Sequence, residues 1–256
     1  MANIINRNET PNLKNSGLSA AILNNPAGYK VLILISMLYM SIMLCNAILT
    51  NRYIGVDSLF VLGGTFTSPF IFILDDIIAE IYGYKITRYV ILSGFAAQTL
   101  FVIICQLALA APYPTIFKEQ AAYSYLLGPS LLRIDISGFV AYIVANLVNS
   151  YILTRWKILL KGRRFWLRSL GSSTFSEALY SLLAILMMEI SSIPLNSVLK
   201  VVLISFLIKA IYSIVLAGPA NLLVNYIKKA TGIDVYDFPK NFTPFKYSNK
   251  NQESES

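Results

Sequence analysis

The stretch that decides the fold runs from Pro69 to Arg88 and reads PFIFILDDIIAEIYGYKITR. It begins as an apolar helical segment and then carries three carboxylates, Asp75, Asp76 and Glu80. Asp76 and Glu80 are four residues apart, so on a helix they share one face. In a membrane each such charge costs about 2.5–3.5 kcal/mol at the helix centre and less towards the ends. The stretch therefore predicts carboxylates that face protein or a wet cavity and have a partner there.

The composition of the 256-residue chain is that of an integral membrane protein. Its residues are 56% hydrophobic and only 13% charged, whereas a soluble domain carries about 25% charged residues. Six apolar runs are long enough, or nearly so, to cross about 30 Å of hydrocarbon. These runs cover residues 29–50, 56–74, 89–111, 134–154, 172–193 and 198–226. We therefore predict an all-α integral membrane protein, a bundle of six transmembrane helices.

The 21 lysines and arginines predict the orientation of the bundle. With both termini in the cytoplasm, sixteen of them lie on the cytoplasmic side and four outside, while Lys209 lies within the last run. The positive-inside rule therefore predicts that both termini are cytoplasmic. Polar segments at 1–28 and 228–256 then flank a membrane domain at 29–227. The net charge of +8 is explained by topology, so we expect no nucleic-acid partner.

Motifs for catalysis are nearly absent from the sequence. It has no histidine, no GxxxxGK[ST] phosphate-binding loop, no GxSxG and no paired CxxC. The run DDIIAE (75–80) is similar to the acidic motifs with which prenyltransferases hold magnesium diphosphate. Those enzymes generally use two such motifs, and this chain has one. We expect no catalytic residue, no cofactor and no metal.

The ionisable residues inside the predicted spans indicate a binding site. Lys209 lies near the middle of the last span, so its ammonium cannot easily reach either interface. Glu177 lies about one and a half turns inside the cytoplasmic end of the fifth span, and Asp76 and Glu80 approach that end from the second. One deep cation facing several carboxylates predicts a polar cavity that opens inward, with Lys209 as the partner of these acids. Asp75 points about 100° away from Asp76 and is equally suited to a supporting position.

Several ordered motifs resemble the VUT family of bacterial queuosine precursor transporters. The run GTFTSPFIFILDDIIAEIYG (64–83), followed by Arg88, resembles the family signature. Further similarity is carried by Asn46, Arg133 with FVAY (139–142), RRFWLRS (163–169) followed by Ser172, Lys209, Pro219 and the tail GIDVYDFPKNFTPF (232–245). The chain departs from the family at three positions. The family often has Asp where this chain has Asn149 and Tyr180, and Gln or Asn where it has Glu177.

The resemblance implies uptake of 7-cyano-7-deazaguanine or 7-aminomethyl-7-deazaguanine across the bacterial inner membrane. A guanine-like edge presents an N–H and an amine that a carboxylate can accept in paired fashion. Its carbonyl can accept from Lys209 or Asn46, and tyrosine rings such as Tyr180 can stack on its faces. The expected substrate-binding residues are Asp76, Glu80, Glu177, Lys209, Asn46, Tyr180, Asn146 and Ser172.

Two other functions stay open on the sequence. One is a membrane-embedded enzyme that uses Asp75, Asp76 and Glu80 on a metal-bound diphosphate substrate. The other is a substrate-binding subunit of a vitamin-type uptake system that needs a separate ATPase. The expected partners are the deazapurine substrate and the lipid bilayer, and the sequence leaves a homo-oligomer open.

Overall fold

The computed structural model describes residues 25–57, 59–159, 165–190, 192–233 and 235. Its elements in chain order are α1 (Pro26–Thr50), β1 (Tyr53–Val56), β2 (Leu59–Leu62), α2 (Gly64–Tyr82), α3 (Tyr84–Ala110), α4 (Gln120–Leu127), α5 (Pro129–Leu159), α6 (Phe165–Glu189) and α7 (Leu195–Thr231). Residues 1–24 of the predicted N-terminal segment, residues 160–164 and the tail from 236 onward lie outside the described residues.

The prediction of a helical protein with several apolar helices of membrane-spanning length is confirmed. Five helical stretches are long and apolar enough to cross a membrane: Pro26–Thr50, Lys85–Ala110, Gln120–Asn146, Leu170–Glu189 and Leu195–Thr231. Helix α2 is not among them, although its 19 residues would extend about 28 Å at 1.5 Å per residue. It differs from the five in carrying three carboxylates. The count of six spans and the cytoplasmic position of both termini stay predictions.

The second predicted span, 56–74, is wrong in its position. Residues 53–62 form an antiparallel hairpin of β1 and β2 in which Tyr53 pairs with Leu62 and Val56 with Leu59. Gly55 of β1 has φ +140°, and a Cβ there would lie 2.7 Å from the Cα of its partner Phe60, so this strand position needs glycine. A short apolar run has no periodicity that separates strand from helix, which explains the error. The helix instead begins at Gly64 and continues through all three carboxylates.

Helix α2 is the interior helix of the described bundle. Twelve of its 19 residues are buried, whereas the most apolar stretches of α1 and α7 are only 22% buried. It packs against α1, α3 and α7. On its last turns Ile78, Ile81 and Tyr82 are fully buried against Ile35 of α1 and Val224 of α7. Its carboxylates are therefore surrounded by protein, as the cost of charge in hydrocarbon requires.

Hydrogen bonds gather the helix ends into two groups. At one end the Tyr82 hydroxyl donates to the Gly28 carbonyl over 2.8 Å, and the Asn25 amide donates to the Thr231 carbonyl over 2.5 Å. At the other end the Asn51 amide donates to the Leu126 carbonyl of α4 over 2.9 Å. We call the end with Asn25 the inner end and the end with Asn51 the outer end, following the predicted orientation. The long helices thus run alternately inward and outward.

The outer connection after α3 contains one short helix, α4, which is followed directly by Gly128 and Pro129. Helix α4 has eight residues, none of them buried. The side-chain amide of Gln106 donates to the carbonyls of Leu127 and Gly128 over 2.7 and 2.9 Å, which fixes the end of α4 to α3. This helix therefore lies on the outer end of the bundle without entering its core.

Gly63 and Gly64 allow the close crossing of α1 and α2. Gly63 provides a stability test. A Cβ added at Gly63 would overlap the carbonyl oxygen of Leu49, which is backbone and cannot rotate away. We expect Gly63→Ala to destabilise the fold by about 1–3 kcal/mol because the helices must separate. The midpoint of thermal unfolding in detergent should fall.

Gly218→Ala is the matched control, because no atom lies within 4 Å of a Cβ added there. Alanine is also the better helix former, so its midpoint should stay unchanged or rise slightly. Equal midpoints for the two variants would contradict the crossing geometry.

Candidate functional site

A cavity lies between five of the helices in the outer half of the bundle. Its lining residues come from α1, α2, α3, α5 and α6: Met43, Asn46, Ala47, Ser68, Ile71, Phe72, Phe95, Gln98, Ile134, Gly138, Tyr142, Tyr180 and Met188. Its empty volume is about 440 Å³, including space that is open to the surroundings. The inward-opening cavity expected from the sequence stays a prediction, and the cavity described here lies on the outer side.

Aromatic rings form the inner boundary of this cavity, which we call the aromatic floor (Phe72, Phe95, Tyr142 and Tyr180). Phe72 and Tyr142 are stacked with ring centroids 5.7 Å apart, and Tyr180 meets Phe72 edge-on at 5.5 Å. Phe95 lies 5.1 Å from Tyr142. These residues come from four different helices, so the floor holds the bundle together at mid-depth. It also offers flat apolar surfaces to a planar ligand.

Amide side chains supply the polar part of the cavity wall. Asn46, a predicted site residue, accepts a hydrogen bond from the Thr67 hydroxyl over 2.6 Å. The side-chain N–H of Gln98 donates a hydrogen bond to Asp135 over 2.8 Å. The carbonyl oxygen of the Gln98 amide can therefore accept from other donors. The wall therefore combines groups that can both donate to and accept from the edge of a ligand.

Asp135 is a buried carboxylate that the sequence reasoning missed. It is 3% exposed and accepts hydrogen bonds from Gln98 and from the Thr99 hydroxyl, the latter over 3.0 Å. It lies six residues after Pro129, the first residue of α5. An aspartate this far inside an apolar helix is a signal that could have been used, because such a charge needs partners in the bundle.

A second polar cluster lies between α6 and α7 beside the aromatic floor. Glu177 is fully buried, and the Ser213 hydroxyl lies 2.9 and 3.0 Å from its two carboxylate oxygens. Lys209 is 3% exposed, donates to the Ser181 hydroxyl over 2.9 Å and interacts electrostatically with Glu177. Its Nζ lies 4.9 Å from the ring centroid of Tyr180. The structure thus brings together three predicted site residues, Glu177, Tyr180 and Lys209.

Glu80 does not join this cluster, which corrects its expected pairing with Lys209. Its Oε1 lies 2.8 Å from the Nζ of Lys228 near the inner end of α7. Asp76 lies one helical turn before Glu80 on α2, further from the inner end. It is 5% exposed and interacts electrostatically with Glu177. The shared helix face predicted for the two acids therefore serves two different neighbours.

Asp75 lies on the face of α2 that borders the cavity, one turn beyond the lining residue Phe72. Ser68, Phe72 and Asp75 are spaced i, i+4 and i+7, so they lie along one helix face that begins in the cavity. The Tyr142 hydroxyl of the aromatic floor donates a hydrogen bond to Oδ2 of Asp75. The other carboxylate oxygen, Oδ1, is buried and has no hydrogen-bond partner among the described residues.

The remaining predicted residues lie behind these groups. The amide nitrogen of Asn146 lies 3.3 Å from the Tyr142 hydroxyl, so Asn146 is linked to the cavity through that ring. Ser172 is fully buried on α6, and its carbonyl accepts from the Ser176 hydroxyl over 2.8 Å. Across residues 25–57, 59–159, 165–190, 192–233 and 235, no group of three or more His, Cys, Asp or Glu side chains could hold a metal ion.

At the outer end the hairpin is joined to α6 by one side-chain hydrogen bond. The Tyr53 hydroxyl donates to Oε2 of Glu189 over 2.7 Å. Glu189 is the last residue of α6 and is only 7% exposed. Burial, reinforced by this hydrogen bond, raises the pKa of Tyr53 above its ordinary value. The hydroxyl therefore stays protonated and keeps donating to Glu189 at neutral pH.

Residues 62–224 match the model of a protein family described as "putative vitamin uptake transporter". The match covers well over half of the chain, from the end of β2 through most of α7. It includes every predicted site residue except Asn46. A search of curated proteins and a search of solved structures each found no match.

Substitutions at Glu177 and Lys209 test whether the ammonium of Lys209 compensates the buried charge of Glu177. In Lys209→Met, Glu177 stays buried near Asp76 without its ammonium partner. Breaking one side of a buried pair typically costs about 3–5 kcal/mol, and removing both sides costs much less. We expect Lys209→Met to lower the free energy of unfolding in detergent and Glu177→Gln/Lys209→Met to restore most of it.

Lys200→Met is the control for that experiment, because Lys200 is exposed near the start of α7. Its free energy of unfolding should stay close to that of the unmodified protein. If Lys209→Met were no less stable than Lys200→Met, the pairing of Lys209 with Glu177 would be wrong.

Proposed function

The chain belongs to the VUT family of uptake transporters, and on that premise we propose that it imports 7-deazaguanine precursors of queuosine. The substrates are 7-cyano-7-deazaguanine and 7-aminomethyl-7-deazaguanine, and the membrane is the bacterial inner membrane. The chain acts as a transporter and carries no ATPase of its own. The observation that carries the proposal is a cavity with an aromatic floor and amide-bearing walls inside a helical bundle of this family.

The aromatic floor supports a planar heteroaromatic substrate. A deazapurine ring is flat, and each of its faces can stack on an aromatic side chain. Tyr180 and Tyr142 present their rings to the cavity, and Phe72 lies between them. The ammonium of Lys209 lies near the Tyr180 ring on the side of the Glu177 cluster, which fixes the position of that ring. Stacking therefore accounts for recognition of the ring.

The cavity walls support recognition of a guanine-like edge. That edge carries an N–H and an exocyclic amine as donors and a carbonyl as acceptor. Gln98 keeps a carbonyl oxygen for the donors because Asp135 occupies its amide nitrogen. Asn46 lies on the opposite wall, on α1, and its side-chain N–H can donate a hydrogen bond to the substrate carbonyl. We place Glu177, Lys209 and Asp76 at the inner side of the substrate pathway.

Asn146 and Ser172 have supporting positions in this proposal. Asn146 orients the Tyr142 ring through the hydroxyl of that tyrosine. Ser172 packs at the inner half of α6, beyond Glu177. Glu80 holds α2 to α7 through Lys228 and does not touch the substrate. The proposed contacts therefore divide the predicted residues into those at the cavity and those that position them.

Uptake in cells that can neither make queuosine nor import its precursors tests the function directly. Expression of this chain should restore queuosine-modified tRNA at low external precursor concentration. Absence of restored modification, with the protein present in the membrane, would reject these substrates. A requirement for a co-expressed ATPase would identify a substrate-binding subunit, and metal-dependent turnover of a diphosphate would identify an enzyme.

The role of Tyr180 can be measured by removing its ring. Stacking of a base on an aromatic side chain contributes about 1–3 kcal/mol, so Tyr180→Leu should raise the KM of uptake roughly 5- to 150-fold. Tyr180→Phe keeps the ring and should keep KM near the original value. Tyr226→Leu is the control, because Tyr226 is 71% exposed on α7. Similar KM values for all three variants would remove Tyr180 from the site.

A further inference from the structure

Asp75 carries a buried carboxyl to which the proposed function gives no role. It continues the α2 face that Ser68 and Phe72 present to the cavity, about one turn further in than Phe72. Its side chain is 4% exposed and lies inside the bundle, seven residues before the end of α2. It is thus deep in the membrane-spanning part, directly behind the aromatic floor.

Asp75 is only partly satisfied by its neighbours. Oδ2 accepts from the Tyr142 hydroxyl, and Oδ1 has no hydrogen-bond partner among the described residues. The Tyr39 hydroxyl of α1 is also buried, and it interacts with Asp75. A charged carboxylate oxygen that is buried without a hydrogen-bond partner has a large unfavourable free energy of desolvation.

The charges around Asp75 do not compensate for its own. Asp76, the next residue on α2, places a second carboxylate beside it. Within the part of the chain that the structure describes, no lysine or arginine pairs with Asp75. The surrounding helices carry Tyr39 on α1, Lys85 and Arg88 at the inner start of α3, Arg133, Asp135 and Tyr142 on α5, Glu177 and Tyr180 on α6, and Lys209 on α7, among other charged groups nearer their ends. Lys209, the one deep cation among them, interacts with Glu177.

From this geometry we propose that Asp75 is the proton-binding residue that couples substrate uptake to the proton gradient. This inference rests on the proposed function and adds its energy source. A proton that enters the cavity from the outer side adds to the carboxylate and gives a neutral carboxyl, and the same proton is released at the inner side. One proton therefore moves inward with the substrate, and no other reactant is needed.

The hydrogen bond from Tyr142 links proton binding to the shape of the cavity. A hydroxyl bonded to a charged carboxylate is held more strongly than one bonded to a neutral carboxyl. Protonation of Asp75 therefore weakens the bond that holds the Tyr142 ring in the aromatic floor. The ring can then move, and the outer cavity gains a path towards Asp76 and Glu177. Without the proton the floor stays closed.

The test uses purified full-length protein in liposomes with radiolabelled 7-cyano-7-deazaguanine and a pH-sensitive dye inside. Two activities are compared: exchange of labelled for unlabelled substrate at equal pH, and accumulation driven by an acidic exterior. The unmodified protein should show both, and substrate should acidify the interior. Asp75→Asn should keep exchange within about threefold and lose both accumulation and acidification.

Tyr142→Phe tests the proposal if Asp75→Asn does not fold. It keeps the ring but removes the hydrogen bond that favours the charged carboxylate, so half-maximal uptake should shift to higher pH. The expected shift is roughly 1 to 2 pH units. Glu119→Gln, at an exposed acid in the outer connection, is the control and should leave the pH profile unchanged.

The outcomes separate the two proposals. Absence of exchange by the unmodified protein rejects the proposed substrate, and the coupling proposal falls with it. Exchange without proton-driven accumulation rejects the coupling alone. Loss of exchange together with accumulation in a folded Asp75→Asn, or an unshifted pH profile in Tyr142→Phe, also overturns the assignment to Asp75.

Discussion

Charge inside a membrane must be enclosed by protein, and this constraint organises the whole bundle. The three carboxylates of α2 require the helix to lie in the interior, and the described structure meets that requirement with α1, α3 and α7 packed around it. Glu80 reaches Lys228, Asp76 faces the Glu177 cluster, and Asp75 meets the Tyr142 hydroxyl. A single acidic stretch therefore distributes its charges over three neighbouring helices.

The aromatic floor divides the polar interior into two compartments with different chemistry. Outside it the cavity wall presents the neutral amides of Asn46 and Gln98, with the Asp135 carboxylate held behind Gln98. Neutral amides discriminate by hydrogen bonding without a large cost of desolvation. Behind it lie Asp75, Glu177 and Lys209, which are ionisable and shielded from the outer side. A planar ligand can thus be recognised first by uncharged groups. The ligand can contact the charged groups only after the rings of the aromatic floor have moved.

The extent to which the sequence predicts this arrangement differs from element to element. Long apolar runs locate five of the helices, with ends that differ by up to seven residues, because the hydrocarbon thickness sets a minimum length. Glu177 and Lys209 lie together in the structure for a related reason, because a deep ammonium requires a buried partner. The hairpin at 53–62 could not be predicted, since four-residue apolar strands share their composition with a helix. The partner of Glu80 depends on how α7 passes α2, which helical spacing within one segment does not reveal.

Helix α7 is held to two different neighbours on either side of a proline. Lys209 lies ten residues before Pro219 and interacts with Glu177 of α6, while Lys228 lies nine residues after it and pairs with Glu80 of α2. Pro219 cannot donate to the carbonyl of Val215, so the backbone between the two lysines is the most easily bent part of the helix. The two halves of α7 can therefore behave as separate levers about one hinge. A change in their angle alters the relation of α6 to α2 while both charge pairs stay intact.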